Sequence, residues 1–149
     1  MNYIVGDIGN TSTRICLLNK SKILNSIIFD TKKIFIKGFF KKIIFKLSKK
    51  NLKNEILFSC VVPLAFKEIK RNLKKTNFRV FEIKNLNLKK MIKINIKNFK
   101  QLGSDRIVNS IKGKDFKNCL IIDFGTATTF DIVKNEIENN TYRGICKFI

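Results

Sequence analysis

Asp7-Ile8-Gly9-Asn10-Thr11-Ser12-Thr13 and Asp123-Phe124-Gly125-Thr126-Ala127-Thr128-Thr129 are two copies of one pattern, and its reading decides the fold. Each copy follows a short apolar run, Tyr3-Ile4-Val5 or Leu120-Ile121-Ile122. Each precedes another, Ile15-Cys16-Leu17-Leu18 or Phe130-Asp131-Ile132-Val133. Such runs predict buried strands, so each copy predicts a β-turn-β unit with an Asp at the end of its first strand. Gly9 and Gly125 let the backbone approach a ligand closely and expose N–H donors in an anion-binding concavity, to which the Thr and Ser hydroxyls add. An Asp repels phosphate, so its expected task is to hold a cation or its water shell against the phosphates. Two such loops predict two half-sites for one nucleotide. Asp and Gly are also ordinary turn residues, and a plain hairpin connection stays open for either copy alone. Repetition with hydroxyls at corresponding positions favours phosphate binding.

Working outward, strands are predicted near residues 3–7, 13–19 and 23–29, an opening three-stranded meander. Lys33 to Lys49 carries Ile36, Phe39, Phe40, Ile43, Ile44 and Leu47 at helical spacing, which predicts a core-facing helix weakened near Gly38. A membrane-surface helix is the competing reading of that Phe and Lys pattern. Glu55 to Val62 reads as a strand ended by Pro63, Leu64 to Lys75 as a second helix and Phe78 to Ile83 as a further strand. Asn85 to Gln101 shows no core period and reads as a connecting region beside a substrate cleft. Arg106 to Lys112 reads as a helix, with Ser104 or Asp105 at its N-terminus, where the free N–H groups and the dipole favour anions.

The 149 residues are 44% hydrophobic, ordinary for a globular chain with one substantial core and unlike a disordered tail. A formal net charge of +20 raises the possibility of a nucleic-acid partner. Its distribution argues against a specific one. The basic residues are overwhelmingly Lys, with Arg only at 14, 71, 79, 106 and 143, scattered among Asn and Ile as an AT-rich coding sequence would give. No aromatic RNA-binding signature, zinc-finger spacing or recognition-helix pattern accompanies them. Cys16, Cys60, Cys119 and Cys146 form no C-x-x-C pair, and there is no histidine, so free thiols in a reducing compartment are expected. Asp7 and Gly9 interrupt the only early apolar stretch, and no run approaches the ~20 apolar residues that cross a bilayer. A soluble, cytoplasmic protein with no membrane partner is expected.

At this point the chain resembles the type III pantothenate kinases of the acetate kinase, sugar kinase and actin superfamily. The resemblance rests on Asp7-Ile8-Gly9-Asn10-Thr11, Gly103-Ser104-Asp105-Arg106 and Asp123-Phe124-Gly125-Thr126-Ala127-Thr128-Thr129 in that order, with Ser59-Cys60-Val61-Val62-Pro63 as a weaker landmark. It implies an α/β chain with the actin-like ATPase (ribonuclease-H-like) fold, first domain complete and second domain truncated. Residues 1–115 would form the first domain and 116–149 the opening of the second. Members are longer than this chain, and Tyr142 to Ile149 resembles the family's Gly-rich segment only at its start. A truncation or frameshift is therefore expected.

The implied function is ATP-dependent phosphorylation of pantothenate, the first step toward coenzyme A. Phosphoryl transfer needs positioning, charge neutralisation and a group that takes the hydroxyl proton late in a loose transition state. The chain has no histidine and 11 acidic residues, of which Asp7, Asp105 and Asp123 are the three in motifs, and an aspartate suffices for that role. By resemblance Asp105 is that base, with Gly103, Ser104 and Arg106 contacting pantothenate and Arg106 suited to its carboxylate. Asp7, Ile8, Gly9, Asn10, Thr11, Ser12, Thr13 and Arg14 would bind ATP, with Asp7 on its Mg²⁺. Thr126 would contact ATP, and Asp123 would hold a monovalent cation, K⁺ or NH₄⁺. A homodimer is implied for the full-length form. The competing reading makes Asp105 a simple helix cap beside a surface ion pair of Arg106, and Asp123 only a turn residue. Ile96 and Phe99 stand where the family often has Tyr and Pro, which would remove a substrate contact. Two further classes stay open, a non-catalytic relative (regulatory binding protein or gene remnant) and a basic nucleic-acid binder.

Overall fold

Strand β1 (Asn2–Ile8) alternates as a half-covered strand must, with Ile4 and Ile8 turned into the core and Asp7 turned out. In this computed structural model all residues are described except 49–51, 89–90, 95–98, 117, 126, 139–140 and 149; for 100, 135–138 and 141–148 only the backbone is. The described chain divides into two units, Met1–Ile83 and Lys84–Ile149.

In the first unit β2 (Ser12–Asn19) and β3 (Lys22–Asp30) continue β1 as an antiparallel meander. β4 (Leu52–Cys60) and β5 (Arg79–Glu82) add in parallel on the other side of β1, giving the order β3-β2-β1-β4-β5. Parallel neighbours need crossovers, and α1 (Phe39–Leu47) and α2 (Pro63–Leu73) supply them. α1 buries Phe40, Ile44 and Leu47 and α2 buries Ala65, Ile69 and Leu73, the helical three-and-four spacing. These pack with Ile4, Ile8, Ile15, Leu17, Ile56 and Phe58 into one core. Pro63 occupies the first turn of α2, where its missing N–H costs nothing.

The helix expected over Lys33 to Lys49 is two pieces. A 3₁₀ turn, Thr31–Phe35, is followed by Gly38 with φ at +74°, and α1 begins only at the next residue. A left-handed residue cannot lie inside a right-handed helix, so Gly38 separates the pieces rather than weakening one. Ile36, expected on the buried face, is exposed as a result, and Lys49 lies outside the described residues.

In the second unit β7 (Asn118–Phe124), β8 (Thr128–Glu138) and β9 (Thr141–Phe148) form another antiparallel meander, and β6 (Lys93–Ile94) pairs in parallel with β9. The segment 85–101, read as connection alone, thus contributes β6 and a 3₁₀ turn at Phe99–Gln101. α3 (Ser104–Gly113) packs on β7, β8 and β9 through Ser104, Ile107, Ser110 and Gly113. A Cβ at Gly113 would meet Ile121 Cδ1 at 2.9 Å and Val133 Cγ2 at 3.0 Å, so glycine sets how close the helix comes. This packing puts α3 with the second unit. The division falls at 83/84, whereas the sequence reading kept 84–115 with the first domain.

Cys16 and Cys60 are buried free thiols and Cys119 a half-buried one; the Cys146 side chain lies outside the described residues. Among the described residues no helix is long and apolar enough to cross a membrane.

Candidate functional site

The two repeated motifs occupy equivalent places, each at the turn joining the first two strands of a meander. At the first, Gly9 N–H donates to Ser12 O (3.0 Å) and closes the turn. Asp7, Asn10, Thr11, Ser12 and Arg14 are exposed on and beside it. Asp7 lies directly across from Arg14 on β2 and from Ser59 on β4, whose Oγ is buried without a hydrogen bond. Ile8 is wholly buried in the core, and its carbonyl accepts the Val61 N–H at 3.0 Å.

Thr13 also points inward. Its hydroxyl meets that of Thr31 at 2.9 Å, and Thr31 Oγ1 donates to Gly9 O at 2.8 Å. One hydroxyl carries one proton, so Thr13 is the donor to Thr31. Thr31 N–H also donates to Thr11 O (3.0 Å), so the residue after β3 holds the β1–β2 turn from beneath by three contacts. The sequence reading missed Thr31. Nothing local marks it, because its partners lie about twenty residues away in the chain.

Cys60, at the end of β4, is not a nucleophile in waiting. Burial pushes its thiol above the usual range; the carboxylates of Glu82 and Asp7 add to this, and backbone contacts of Val62 and Phe66 oppose it. Its Sγ donates to Val62 O at 3.2 Å.

In the second unit α3 starts at Gly103, whose extended φ/ψ of −63° and 144° make it the helix cap. Ser104 is buried, and Asp105 Oδ1 accepts the Arg106 N–H at 2.8 Å, a contact natural to a carboxylate in a first helical turn. Arg106, whose alternative reading was a surface ion pair, lies largely inside. Its Nε donates to Asp131 Oδ1 at 2.8 Å, its Nη2 donates to the same oxygen, and Nη2 also donates to Phe130 O at 3.0 Å. Asp131 is fully buried, and its Oδ2 makes no hydrogen bond. One helical turn on, Asn109 Nδ2 donates to Asp123 Oδ2 at 3.1 Å. β7 and β8 pair Asp123 with Thr129 and Ile121 with Asp131, so period two sets Asp123 and Asp131 on the same sheet face, the one α3 covers.

The structure thus brings Gly103, Ser104, Asp105, Arg106 and Asp123 together and adds Asn109 and Asp131, which the sequence reading did not use. Asp131 had a signal: a carboxylate in the inward phase of the apolar run 130–133. Gly125 N–H closes the second turn on Ala127 O at 3.2 Å, and Thr126 and Ile96 lie outside the described residues. Phe99 is exposed. Among the described residues no cluster of three or more His, Cys, Asp or Glu is placed to hold a metal ion by itself. A Mg²⁺ that keeps waters and substrate phosphates needs only one or two carboxylates, and outward-facing Asp7 beside a hydroxyl-bearing turn meets that need.

The sequence profile described as type III pantothenate kinase matches residues 3–145. A type III pantothenate kinase of Pelagibacter ubique (strain HTCC1062) is 46% identical over 146 residues, spanning 95% of this chain and 56% of that protein. One from Sulfurihydrogenibium sp. (strain YO3AOP1) is 34% identical over 147 residues, spanning 93% and 56%. The chain spans about half the length of the curated relatives it matches. Among solved structures, a reductive activator for corrinoid, iron-sulfur protein superposes with a TM-score of 0.54 at 14% identity, covering 90% of this chain and 29% of that one, a likeness of fold alone.

Proposed function

Since the chain belongs to the type III pantothenate kinase family and has an actin-like ATPase α/β fold, we propose that it serves ATP-dependent phosphorylation of pantothenate to 4'-phosphopantothenate. The observation that carries this reading is the family match across residues 3–145, which includes both repeated turns and the α3 motif. The arrangement at the start of α3 supports it. A carboxylate and a guanidinium lie there at a helix N-terminus whose cap residue, Gly103, makes no side-chain hydrogen bond, a setting suited to an anionic ligand.

In this reading Arg106 takes the pantothenate carboxylate, with Gly103 and Ser104 lining the same helix start. Asp105 orients the attacking hydroxyl and accepts its proton as the bond to phosphorus forms. An ordinary carboxylate is too weak a base to deprotonate an alcohol beforehand, but a loose transition state calls for the proton late. The Arg106 N–H fixes the Asp105 rotamer for that task. Asp7, Ile8, Gly9, Asn10, Thr11, Ser12, Thr13 and Arg14 form the ATP loop. Ile8 and Thr13 serve it from inside: the first anchors the strand end, and the second braces Thr31. Mg²⁺, when bound, neutralises phosphate charge, and Asp7 is the residue that would hold it. Asp123, steadied by Asn109, is assigned the monovalent cation and Thr126 an ATP contact. A cytoplasmic setting and a homodimer of the full-length form belong to the same proposal.

The test is phosphorylation of pantothenate by the purified 149-residue protein with ATP, Mg²⁺ and K⁺, beside an Asp105→Asn control. Loss of an acid–base group predicts a drop of about 10²-fold or more in the control. Undiminished turnover there removes Asp105 from its role. Binding of both substrates without turnover would mark a non-catalytic relative, and binding of neither by folded protein would overturn the reading.

A further inference from the structure

We infer that the open edge of β7 and the apolar face beside it form a docking surface for a parallel strand with covering helices, supplied by a polypeptide equivalent to the part of its relatives that this chain does not span. The inference rests on the family match and on the sheet of the second unit, and it stands whether or not the repeated turns bind ATP.

The repeated motif lets one unit report what the other requires. Leu120, Ile122 and Phe124 stand relative to Asp123 as Ile4, Gly6 and Ile8 stand relative to Asp7. Register extends the match to the next strand: Gly6 and Ile4 pair with Ile15 and Leu17, as Ile122 and Leu120 pair with Phe130 and Ile132. In the first unit this face is the core, where Ile4, Ile8, Ile15 and Leu17 pack with α1 and α2 and are at most 1% exposed. In the second unit the same face is bare: Leu120 is 55% exposed, Ile122 43%, Phe124 81% and Phe130 39%. α3 does not cover it, because α3 packs on the opposite face, through Gly113 against Cys119, Ile121 and Val133.

The strand edge leads to the same conclusion. β1 carries antiparallel β2 on one side and parallel β4 on the other, whereas β7 carries antiparallel β8 and, among the described residues, nothing on its other side. Among the described residues the second unit holds no counterpart of α1, β4 or α2. Sheets blunt free edges with charge or cover them, and a bare apolar edge strand is a template for another chain. The bare face of β7 presents Asn118, Leu120, Ile122 and Phe124, without a charge, in a chain of net charge +20. Length then names the occupant. The relatives carry nearly as much chain again beyond what this one spans, and a helical crossover ending in a parallel strand takes only about 30 residues.

The test produces the chain together with a second polypeptide, the part of the Pelagibacter ubique relative outside the matched stretch, and follows their association by light scattering and calorimetry. A complex with one copy of each is expected. Leu120→Asp alters a side chain that is exposed in the chain alone, so the unfolding midpoint of that chain should stay where it is. The complex should weaken about a hundredfold or more, because docking would bury a lone charge. Ile23→Asp, equally exposed but on β3, should leave the complex within about twofold. If Leu120→Asp does not fold, amide hydrogen exchange on the unaltered chain reports instead: the second polypeptide should protect β7 and leave the edge strands β3 and β5 as they were. No complex, a complex indifferent to Leu120→Asp, or protection that bypasses β7 would overturn the inference. Self-association of the chain alone through this face would also overturn it, since a second copy would then be the occupant. None of these readouts uses ATP or pantothenate, so the proposed function stands or falls separately.

Discussion

At the scale of single residues, Gly6 is an absence that its neighbours fill. It lies on the inward face of β1 between Ile4 and Ile8, with Ile15 and Phe58 as its lateral partners in the ladder. A Cβ there would collide with the Phe58 ring and stand 2.8 Å from Ile15 Cδ1. Gly6→Ala should therefore cost about 1–3 kcal/mol through overpacking, lowering the urea midpoint at unchanged slope. A midpoint like that of wild type would mean that the ring swings aside freely. Cys60 makes a prediction in pH. Its thiol titrates higher folded than unfolded, chiefly through burial, so the stability it contributes is whole below the unfolded value of about 8.5 and lost as pH rises through the native one. Unfolding free energies of wild type and Cys60→Ala, followed from pH 7 to 10, should converge upward of that value. A constant difference would refute the assignment.

Elements are where the sequence was most legible, and the contacts between them where it was least. The apolar runs within 3–7 and 13–19 and the helical spacing of Phe40, Ile44 and Leu47 are local signals, and strands β1 and β2 and a helix over Phe39–Leu47 are present. The two-residue strand β6 has no period to read, and the break before α1 depends on a backbone angle at Gly38 that composition only hints at. Among site residues the motifs stood out because turn chemistry is local. Thr31, Asn109 and Asp131 did not, because each matters through a partner elsewhere in the chain. Thr31 gives this a measurable form. Thr31→Val removes the acceptor for Thr13 and the donor to Gly9 O, leaving the buried Thr13 hydroxyl and the part-buried Gly9 O unmet, and should cost about 1–3 kcal/mol. Adding Thr13→Val removes one orphan, so the double variant should be more stable than the sum of the singles predicts. Strict additivity in that cycle would show that the two hydroxyls do not act together.

For the whole molecule the question is what a net charge of +20 does. Several lysines are used close to home: Lys70 lies 4.9 Å from the Phe66 ring centre, Lys53 5.3 Å from Tyr3 and Lys41 5.7 Å from Phe45. Their aliphatic stems shield apolar surface while the ammonium groups reach solvent, a use that asks for no partner. A surface built to read nucleic acid adds contacts that outlast screening, whereas scattered charge acts only through the counterion atmosphere. Duplex DNA should therefore bind at low ionic strength and weaken by about 10³-fold or more between 50 and 200 mM salt, ending no tighter than about 10⁻⁶ M. Sequence should not matter, and ATP should not compete at the higher salt, where the exposed lysines are screened beyond about 8 Å. Fluorescence anisotropy with two unrelated duplexes decides it. Binding that stays tight at 200 mM, or that separates the two duplexes, would mean that the lysines form a recognition surface and are not dispersed charge.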